Sequence, residues 1–138
     1  MIPPSVYKVP LSYIPEHRNC LVVDDDTDLL NEYELLLKGM YTFASIERVS
    51  QNDAATFTSN HQYDCIIVDN DSFKIGEYRG LETVKKLIAS VSPNKIIYTS
   101  ALPDEQMRNA TKDFGVHFVE KGRWRKLEEI MKGLLDHK

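Results

Sequence analysis

The sequence predicts a single α/β domain in which a parallel β-sheet is covered by helices on both faces. Short apolar runs alternate with segments whose apolar residues recur at helical spacing, the pattern of successive βα units. Ile66, Ile67 and Val68 follow one another without a polar interruption, so we expect their strand to be buried on both faces. The length of 138 residues suits one such core.

Five strands are predicted, each from a short run of apolar or β-branched residues bounded by polar or turn-forming ones. The third has the strongest pattern and the second the weakest. In chain order they cover residues 21–23, 42–49, 63–69, 95–100 and 116–120.

Five helices are predicted, one after each strand. Between Leu29 and Met40 the apolar residues lie at helical spacing, with Gly39 as the expected cap. Pro103 suits the first turn of the fourth helix, which Gly115 closes. In chain order the helices cover residues 27–40, 52–60, 81–88, 103–114 and 124 onwards.

Residues 1–18 hold four of the six prolines, and their apolar residues follow neither the helical nor the strand spacing. This predicts an extended N-terminal arm ahead of a domain over residues 19–138. The start lacks the basic and apolar regions of a signal peptide, and no apolar run approaches membrane-spanning length. We therefore expect a cytoplasmic protein that does not act at a membrane. The initiating Met1 and the arm favour a complete chain.

Charge and cysteine content exclude other classes. The chain has 17 Lys and Arg against 21 Asp and Glu, a net charge of -4, which argues against a nucleic-acid partner. Cys20 and Cys65 lie in or beside apolar strands, so buried reduced thiols are expected rather than a structural disulfide.

Reactive side chains follow four of the five predicted strands. Asp24 to Asp26 end the first, Asp69 the third, Thr99 and Ser100 the fourth, and Lys121 the fifth. The carboxyl ends of parallel strands share one edge of the sheet, where α/β proteins bind ligands. We therefore expect these groups to converge.

Clustered carboxylates repel one another unless a cation compensates them. Mg²⁺ fits that demand because it prefers oxygen ligands and keeps some of its waters. Asp69 is then a candidate nucleophile towards a phosphoryl group, and Lys121 with a hydroxyl would orient the transferred oxygens. Taken alone, Asp24 to Asp26 also suit a helix cap and Lys121 a solvated loop.

Four segments, in order and at suitable spacing, resemble the receiver domains of two-component signalling, the CheY-like domains of response regulators. Each motif is weak alone, and together they cover about residues 18–136. The resemblance implies a flavodoxin-like fold, a doubly wound sheet of five parallel strands in the order 2-1-3-4-5 with five helices. The four segments are Leu21–Asp26, Asp64–Asp69, Ile96–Ala101 and Phe114–Lys121.

The resemblance also implies a metal site and a phosphoacceptor. Asp69 would accept a phosphoryl group from a sensor histidine kinase or a histidine phosphotransfer protein. Asp24 and Asp25 match the family's acidic pair. Mg²⁺ would be held by Asp25, Asp69 and the main chain of Asp71, with Asp24 acting through water.

Three further residues match the parts that carry the signal in the family. Ser100 matches the switch hydroxyl, Phe118 the aromatic switch residue and Lys121 the family's lysine. Such a stand-alone phosphoacceptor is not an enzyme on separate substrates. Its output would be protein–protein interaction through the face of the fourth helix, fifth strand and fifth helix.

Two departures from the family pattern concern loops. Gly122 follows Lys121 where the family usually has proline, and the loop between Asp69 and Gly80 lacks the usual proline and is longer. The run from Lys121 to Lys126 surrounds Trp124 with cations, which suits either a solvated face or a docking surface for an acidic partner.

Two alternative functions stay open. One is a degenerate receiver that takes no phosphate and acts as a binding module, which the two altered loops favour. The other is a phosphatase of the haloacid-dehalogenase type, because Asp69-Asn70-Asp71 fits a strand followed by Asp-x-Asp. That family also needs a second acidic pair later in the chain, and residues 104–138 contain no convincing pair after a predicted strand.

Overall fold

Five parallel strands form one sheet in the order β2-β1-β3-β4-β5, which confirms the predicted fold class and strand order. The computed structural model describes residues 18–24, 30–70, 79–101 and 103–136. The strands are β1 Arg18–Val23, β2 Ala44–Val49, β3 Cys65–Asn70, β4 Ile96–Ser100 and β5 His117–Glu120. The helices are α1 Leu30–Met40, α2 Ala54–Asn60, α3 Arg79–Leu87, α4 Glu105–Phe114 and α5 Trp124–Leu135.

Two apolar clusters cover the two faces of the sheet. On one face, residues of α1 and α5 pack against the odd-numbered positions of β3 and β4, such as Ile67 and Ile97. On the other face, residues of α2, α3 and α4 pack against the even-numbered positions, such as Val68 and Tyr98. The alternation follows from the two-residue period of a strand.

The central strand β3 is buried at every position from Cys65 to Asn70. Its neighbours β1 and β4 shield its edges, and a helix layer covers each face. This arrangement explains why its sequence is apolar without alternation. It also means that the polar residues ending β3, Asp69 and Asn70, are buried and need partners within the protein.

Element boundaries differ from the prediction where a local interaction decides them. β1 begins at Arg18, whose backbone N–H donates to Phe43 O at 2.8 Å. Gly39 lies inside α1 and is not its cap. Pro103 precedes α4, because the side chain of Asp104 accepts a hydrogen bond from the Met107 N–H and so begins the helix. Gly115 closes α4 in a left-handed conformation, as predicted, with φ 77°.

Cys20 and Cys65 are buried, form no disulfide, and are register partners on β1 and β3. None of the helices in the described ranges has the length and apolar character needed to span a bilayer. The predicted arm lies outside the described residues apart from Arg18, which belongs to β1, so the arm stays a prediction.

Candidate functional site

The carboxyl ends of the strands bring Asp24, Asp69, Ser100 and Lys121 to one edge of the sheet. Parallel register sets their places, with Asp69 opposite Thr99 on β4 and Ser100 opposite Glu120 on β5. The Lys121 N–H donates to Ser100 O at 2.9 Å, which carries the pairing one residue past the end of β5. The edge predicted from the strand ends therefore forms.

Asp69 is at the centre of this edge and is completely buried. Lys121 Nζ donates to Oδ1 of Asp69 at 3.1 Å, and the lysine side chain is 25% exposed. The hydroxyl of Tyr33, from α1, donates to the other oxygen, Oδ2, also at 3.1 Å. Both oxygens of the buried carboxylate thus have a hydrogen-bond donor, one cationic and one neutral.

Tyr33 is a neutral donor because of its surroundings. Burial raises the pKa of its phenol well above the ordinary value, and the nearby Asp69 carboxylate raises it further. The Asp24 carboxylate acts in the same direction, which places both acidic side chains in the electrostatic environment of the tyrosine. The proton of the Tyr33 hydroxyl therefore stays in place for donation to Asp69.

The main chain of Asp69 is held by a polar contact on the other side of the strand. Nε2 of Gln51, from the segment between β2 and α2, donates to the Asp69 carbonyl oxygen at 2.7 Å. The hydroxyl of Thr83, on α3, donates to Oε1 of the same glutamine. Because all three groups are buried, this bridge fixes the end of β3 against α3.

The next residue, Asn70, positions the start of α3. Its Oδ1 accepts a hydrogen bond from the Gly80 N–H at 2.9 Å. A Cβ at position 80 would lie 2.7 Å from Cε2 of Tyr98 and 3.2 Å from Cβ of Asn70. Only glycine therefore allows the helix to approach this end of the sheet so closely.

The strand-end hydroxyls lie on different faces of the sheet. Thr99 is the register partner of Asp69, whereas Ser100 is the partner of Asn70. Both side chains are buried. Ser100, which the family resemblance assigns to the switch position, therefore follows Tyr98 on the face covered by α3 and α4.

Phe118, the other residue assigned to the switch, is partly buried on that same face. Its ring lies 6.0 Å from the Tyr98 ring at an interplanar angle of 31°. The Arg108 guanidinium, from α4, lies 5.6 Å from the centre of the Phe118 ring. The side chain thus connects β4, β5 and α4.

Two of the four residues predicted to hold a metal are described. Asp24 is 2% exposed and Asp69 fully buried. Asp25 and Asp71 lie outside the described residues. Within the described ranges, no group of three His, Cys, Asp or Glu side chains is placed to hold a metal ion. The full predicted ligand set stays a prediction.

Gly122, where the family resemblance expects proline, turns the chain between β5 and α5. Its φ is 94°, a left-handed conformation in which a residue with a Cβ is strained. This turn places Lys121 beside Asp69 and begins α5 at Trp124 two residues later. Proline, whose φ is fixed near about −65°, could not take this conformation.

Tyr33, Gln51 and Thr83 are the site residues that sequence reasoning missed. In the sequence, Tyr33 stands out only as one of the residues at helical spacing between Leu29 and Met40. A buried tyrosine needs a partner for its hydroxyl, and that requirement is the one signal that could have marked it as part of the site. Gln51 and Thr83 carry no such signal, because their partners are distant in sequence.

The fold is that of the receiver domains of response regulators. A CheY-like receiver domain protein from Methanospirillum hungatei JF-1 matches with a TM-score of 0.69 at 20% identity, over 88% of this chain and 95% of that one. A LuxR family DNA-binding response regulator from Silicibacter pomeroyi matches with a TM-score of 0.66 at 19% identity, over 84% and 93%. An orphan response regulator of H. pylori matches with a TM-score of 0.69 at 16% identity, over 87% and 98%.

No protein-family model matches the chain, and no curated protein matches it. At 16 to 20% identity the three structural matches show the shared fold.

Proposed function

We propose that this chain is a receiver that accepts a phosphoryl group on Asp69. The observation that carries the proposal is the contact of Lys121 Nζ with Oδ1 of Asp69 at 3.1 Å, at the carboxyl edge of a sheet with the receiver strand order. Ser100 ends the adjoining strand β4. An acceptor carboxylate, a cation and a hydroxyl are the groups that positional and electrostatic catalysis of phosphoryl transfer needs.

The residues around Asp69 suit each part of the transfer. A carboxylate oxygen attacks phosphorus, and Lys121 neutralises and orients oxygens of the incoming group. The Gln51 bridge holds the main chain of the acceptor in place. The hydroxyl of Ser100 is proposed to bind the phosphoryl group afterwards, with Phe118 changing its packing between Tyr98 and Arg108.

Mg²⁺ suits the chemistry of the two described carboxylates, because it prefers oxygen ligands. Asp24 and Asp69 are buried carboxylates, and Lys121 is a cation that contacts Asp69. Buried carboxylates at the same edge of a sheet favour a hard divalent cation that compensates their charge. We propose Asp25, Asp69 and the main chain of Asp71 as its ligands, with Asp24 acting through water. When bound, the ion would supply positive charge for the phosphoryl oxygens.

The proposed phosphodonor is a sensor histidine kinase or a histidine phosphotransfer protein, and the proposed output is binding of a downstream protein. The face formed by α4, β5 and α5 is the candidate surface, because Phe118 and Arg108 meet there. This assignment is drawn from the family resemblance and from the position of Phe118 relative to α4.

A degenerate receiver that only binds partners is the second candidate. The specific observation in its favour is that Asp69 is fully buried with both oxygens hydrogen bonded. One of these two hydrogen bonds has to break before a carboxylate oxygen can attack phosphorus. The two candidates differ in one measurable property, the gain of a phosphoryl group.

The deciding experiment is the intact mass of the protein after incubation with Mg²⁺ and acetyl phosphate. We expect a gain of one phosphoryl group that chelation of Mg²⁺ abolishes and that Asp69→Ala removes. The matched control is Asp64→Asn, which changes a carboxylate at the other end of β3 that accepts from the Asn19 N–H at 2.9 Å. This variant should be phosphorylated like the wild type.

Absence of a mass gain in folded wild-type protein, with acetyl phosphate and then with a histidine phosphotransfer protein, would favour the binding module. Repeated release of phosphate from unrelated phosphate esters would instead support a phosphatase of the haloacid-dehalogenase type.

A further inference from the structure

Tyr33 connects the buried acceptor carboxylate to a second aromatic residue at the start of α5. Its hydroxyl donates to Oδ2 of Asp69 at 3.1 Å. Its ring meets the Trp124 ring edge-on, with the centres 5.5 Å apart and the planes at 62°. Tyr33 is itself only 2% exposed, so packing fixes both contacts at once.

The Tyr33 hydrogen bond depends on the charge of Asp69. A hydrogen bond to an ionised carboxylate is about twice as strong as a neutral one. If Asp69 becomes an acyl phosphate, one carboxylate oxygen becomes the oxygen that bridges carbon and phosphorus, and the other becomes a carbonyl oxygen. Neither oxygen keeps the carboxylate charge. The contact with Tyr33 therefore weakens, and the tyrosine side chain loses one of the interactions that position it.

Trp124 joins this buried contact to the surface. Tyr33, Thr99, Lys121 and Trp124 line a small cleft of about 10 Å³, the room that one water needs. Trp124 also lines an open groove of about 600 Å³ whose other residues come from the start of α5 and the turn before it. The groove is lined by Gly122, Arg123, Trp124, Arg125, Lys126 and Glu129. A change at Tyr33 thus has a direct route to an exposed, mainly basic surface.

We propose that Tyr33 is a positioning residue that holds Oδ2 of Asp69 in the unphosphorylated protein and couples the state of Asp69 to Trp124. The route runs on the face covered by α1 and α5, opposite to the face of Ser100 and Phe118. The coupling of Asp69 to Trp124 through Tyr33 requires that Asp69 is ionised, and it does not require phosphorylation. The part that Tyr33 plays in phosphoryl transfer rests on the function proposed above.

The proposed phosphoryl transfer to Asp69 forms one bond to phosphorus and breaks one. A carboxylate oxygen of Asp69 forms a bond to phosphorus while the bond from phosphorus to the leaving group breaks. With acetyl phosphate, acetate leaves with the electron pair of that bond. The Tyr33 hydroxyl keeps its proton throughout, and no oxidation state changes.

The first test reads Trp124 by fluorescence and requires no phosphorylation. Trp124 is the only tryptophan of the chain, so tryptophan emission reports on this position alone. We expect Asp69→Ala to change the emission of Trp124, because Tyr33 loses its charged acceptor. The same substitution in a Tyr33→Phe background should leave the emission unchanged, since the phenyl ring keeps the edge contact but has no hydroxyl.

The matched control is Tyr41→Phe, which removes another tyrosine hydroxyl that donates to a carboxylate, that of Asp136. In this background Asp69→Ala should change the emission as it does in the wild type. An equal change in all three backgrounds, or no change in the wild type, would overturn the coupling. Asp69→Asn, which keeps the side chain's volume, replaces Asp69→Ala if circular dichroism shows that the alanine variant is unfolded.

The second test measures the rate of phosphorylation by acetyl phosphate. Removing the donor on Oδ2 makes the carboxylate a better nucleophile, so Tyr33→Phe should react faster, by about tenfold, equivalent to about 1.4 kcal/mol of barrier. A rate equal to or below that of the wild type would overturn this part. If the wild type gains no phosphoryl group, the proposed function fails, whereas the fluorescence comparison still decides the coupling.

Discussion

The Tyr33 hydroxyl and the Lys121 ammonium group hold the two oxygens of Asp69 from opposite elements of the fold, each at 3.1 Å. Tyr33 comes from α1, and Lys121 follows β5. The carboxylate on which the proposed function depends is therefore fixed by residues more than thirty positions away on either side, 36 for the tyrosine and 52 for the lysine.

The first prediction concerns the energetic coupling of Tyr33 and Asp69. A hydrogen bond to a charged group contributes about 1.5 to 3 kcal/mol. We expect a double-mutant cycle of Tyr33→Phe and Asp69→Ala, measured by urea unfolding, to give an interaction free energy of that size. Additive effects of the two substitutions would show that the contact contributes nothing to stability.

Lys121 should matter more for phosphorylation than for folding. Its ammonium group is partly exposed and is the described cation that contacts Asp69. We expect Lys121→Met to slow phosphorylation by acetyl phosphate by about tenfold to a hundredfold, the kinetic equivalent of one charge-assisted hydrogen bond. The measurement is the time course of intact mass.

The control for Lys121→Met is Lys38→Met, which removes an exposed lysine paired with Glu34 on α1. This variant should be phosphorylated at the wild-type rate. A similar slowing in both variants would mean that the effect is one of overall charge and not of contact with Asp69.

Two glycines should respond in opposite directions to replacement by alanine. At Gly80 the new Cβ would lie 2.7 Å from the buried ring of Tyr98, so Gly80→Ala should destabilise the protein by about 1 to 3 kcal/mol. At Gly39, inside α1, a Cβ meets nothing within 4 Å, and Gly39→Ala should stabilise by about 0.5 to 1 kcal/mol. Urea unfolding of both variants tests the pair, and equal effects would contradict the close approach at Gly80.

The stability of the protein should fall at alkaline pH in part because of Tyr63. Burial raises the pKa of the Tyr63 phenol, and the Glu47 carboxylate that accepts its hydrogen bond at 3.2 Å raises it further. Tyrosine in the unfolded chain titrates near pH ~10. The folded state therefore binds this proton more tightly than the unfolded state, and the stabilisation is complete below about pH 10 and lost as the pH rises.

Tyr63→Phe removes this contribution. We expect its free energy of unfolding to decline less steeply than that of the wild type as the pH rises above about 10. Urea unfolding at a series of pH values measures the two slopes. Parallel slopes would mean that Tyr63 titrates alike in the folded and unfolded states.

The fold and the edge of the sheet that holds the candidate site could be predicted, because both depend on local sequence patterns. The apolar run Ile66 to Val68 indicates burial on both faces, and the structure buries every position of β3. Parallel strands necessarily end at one edge, so Asp69 and Lys121 could be expected to meet from their places at strand ends. Boundaries were less accurate where a single side chain decides them, as Asp104 does for α4.

The sequence by itself determined the number and type of elements, the buried central strand and the carboxylate at its end, because apolar periodicity and strand-end position are local properties. Only the tertiary structure decided that Tyr33 rather than solvent holds Oδ2 of Asp69, that Gln51 and Thr83 bridge to its main chain, and that Trp124 packs on Tyr33. These contacts join residues distant in sequence, and which buried polar groups satisfy one another depends on how helices and strands are packed together.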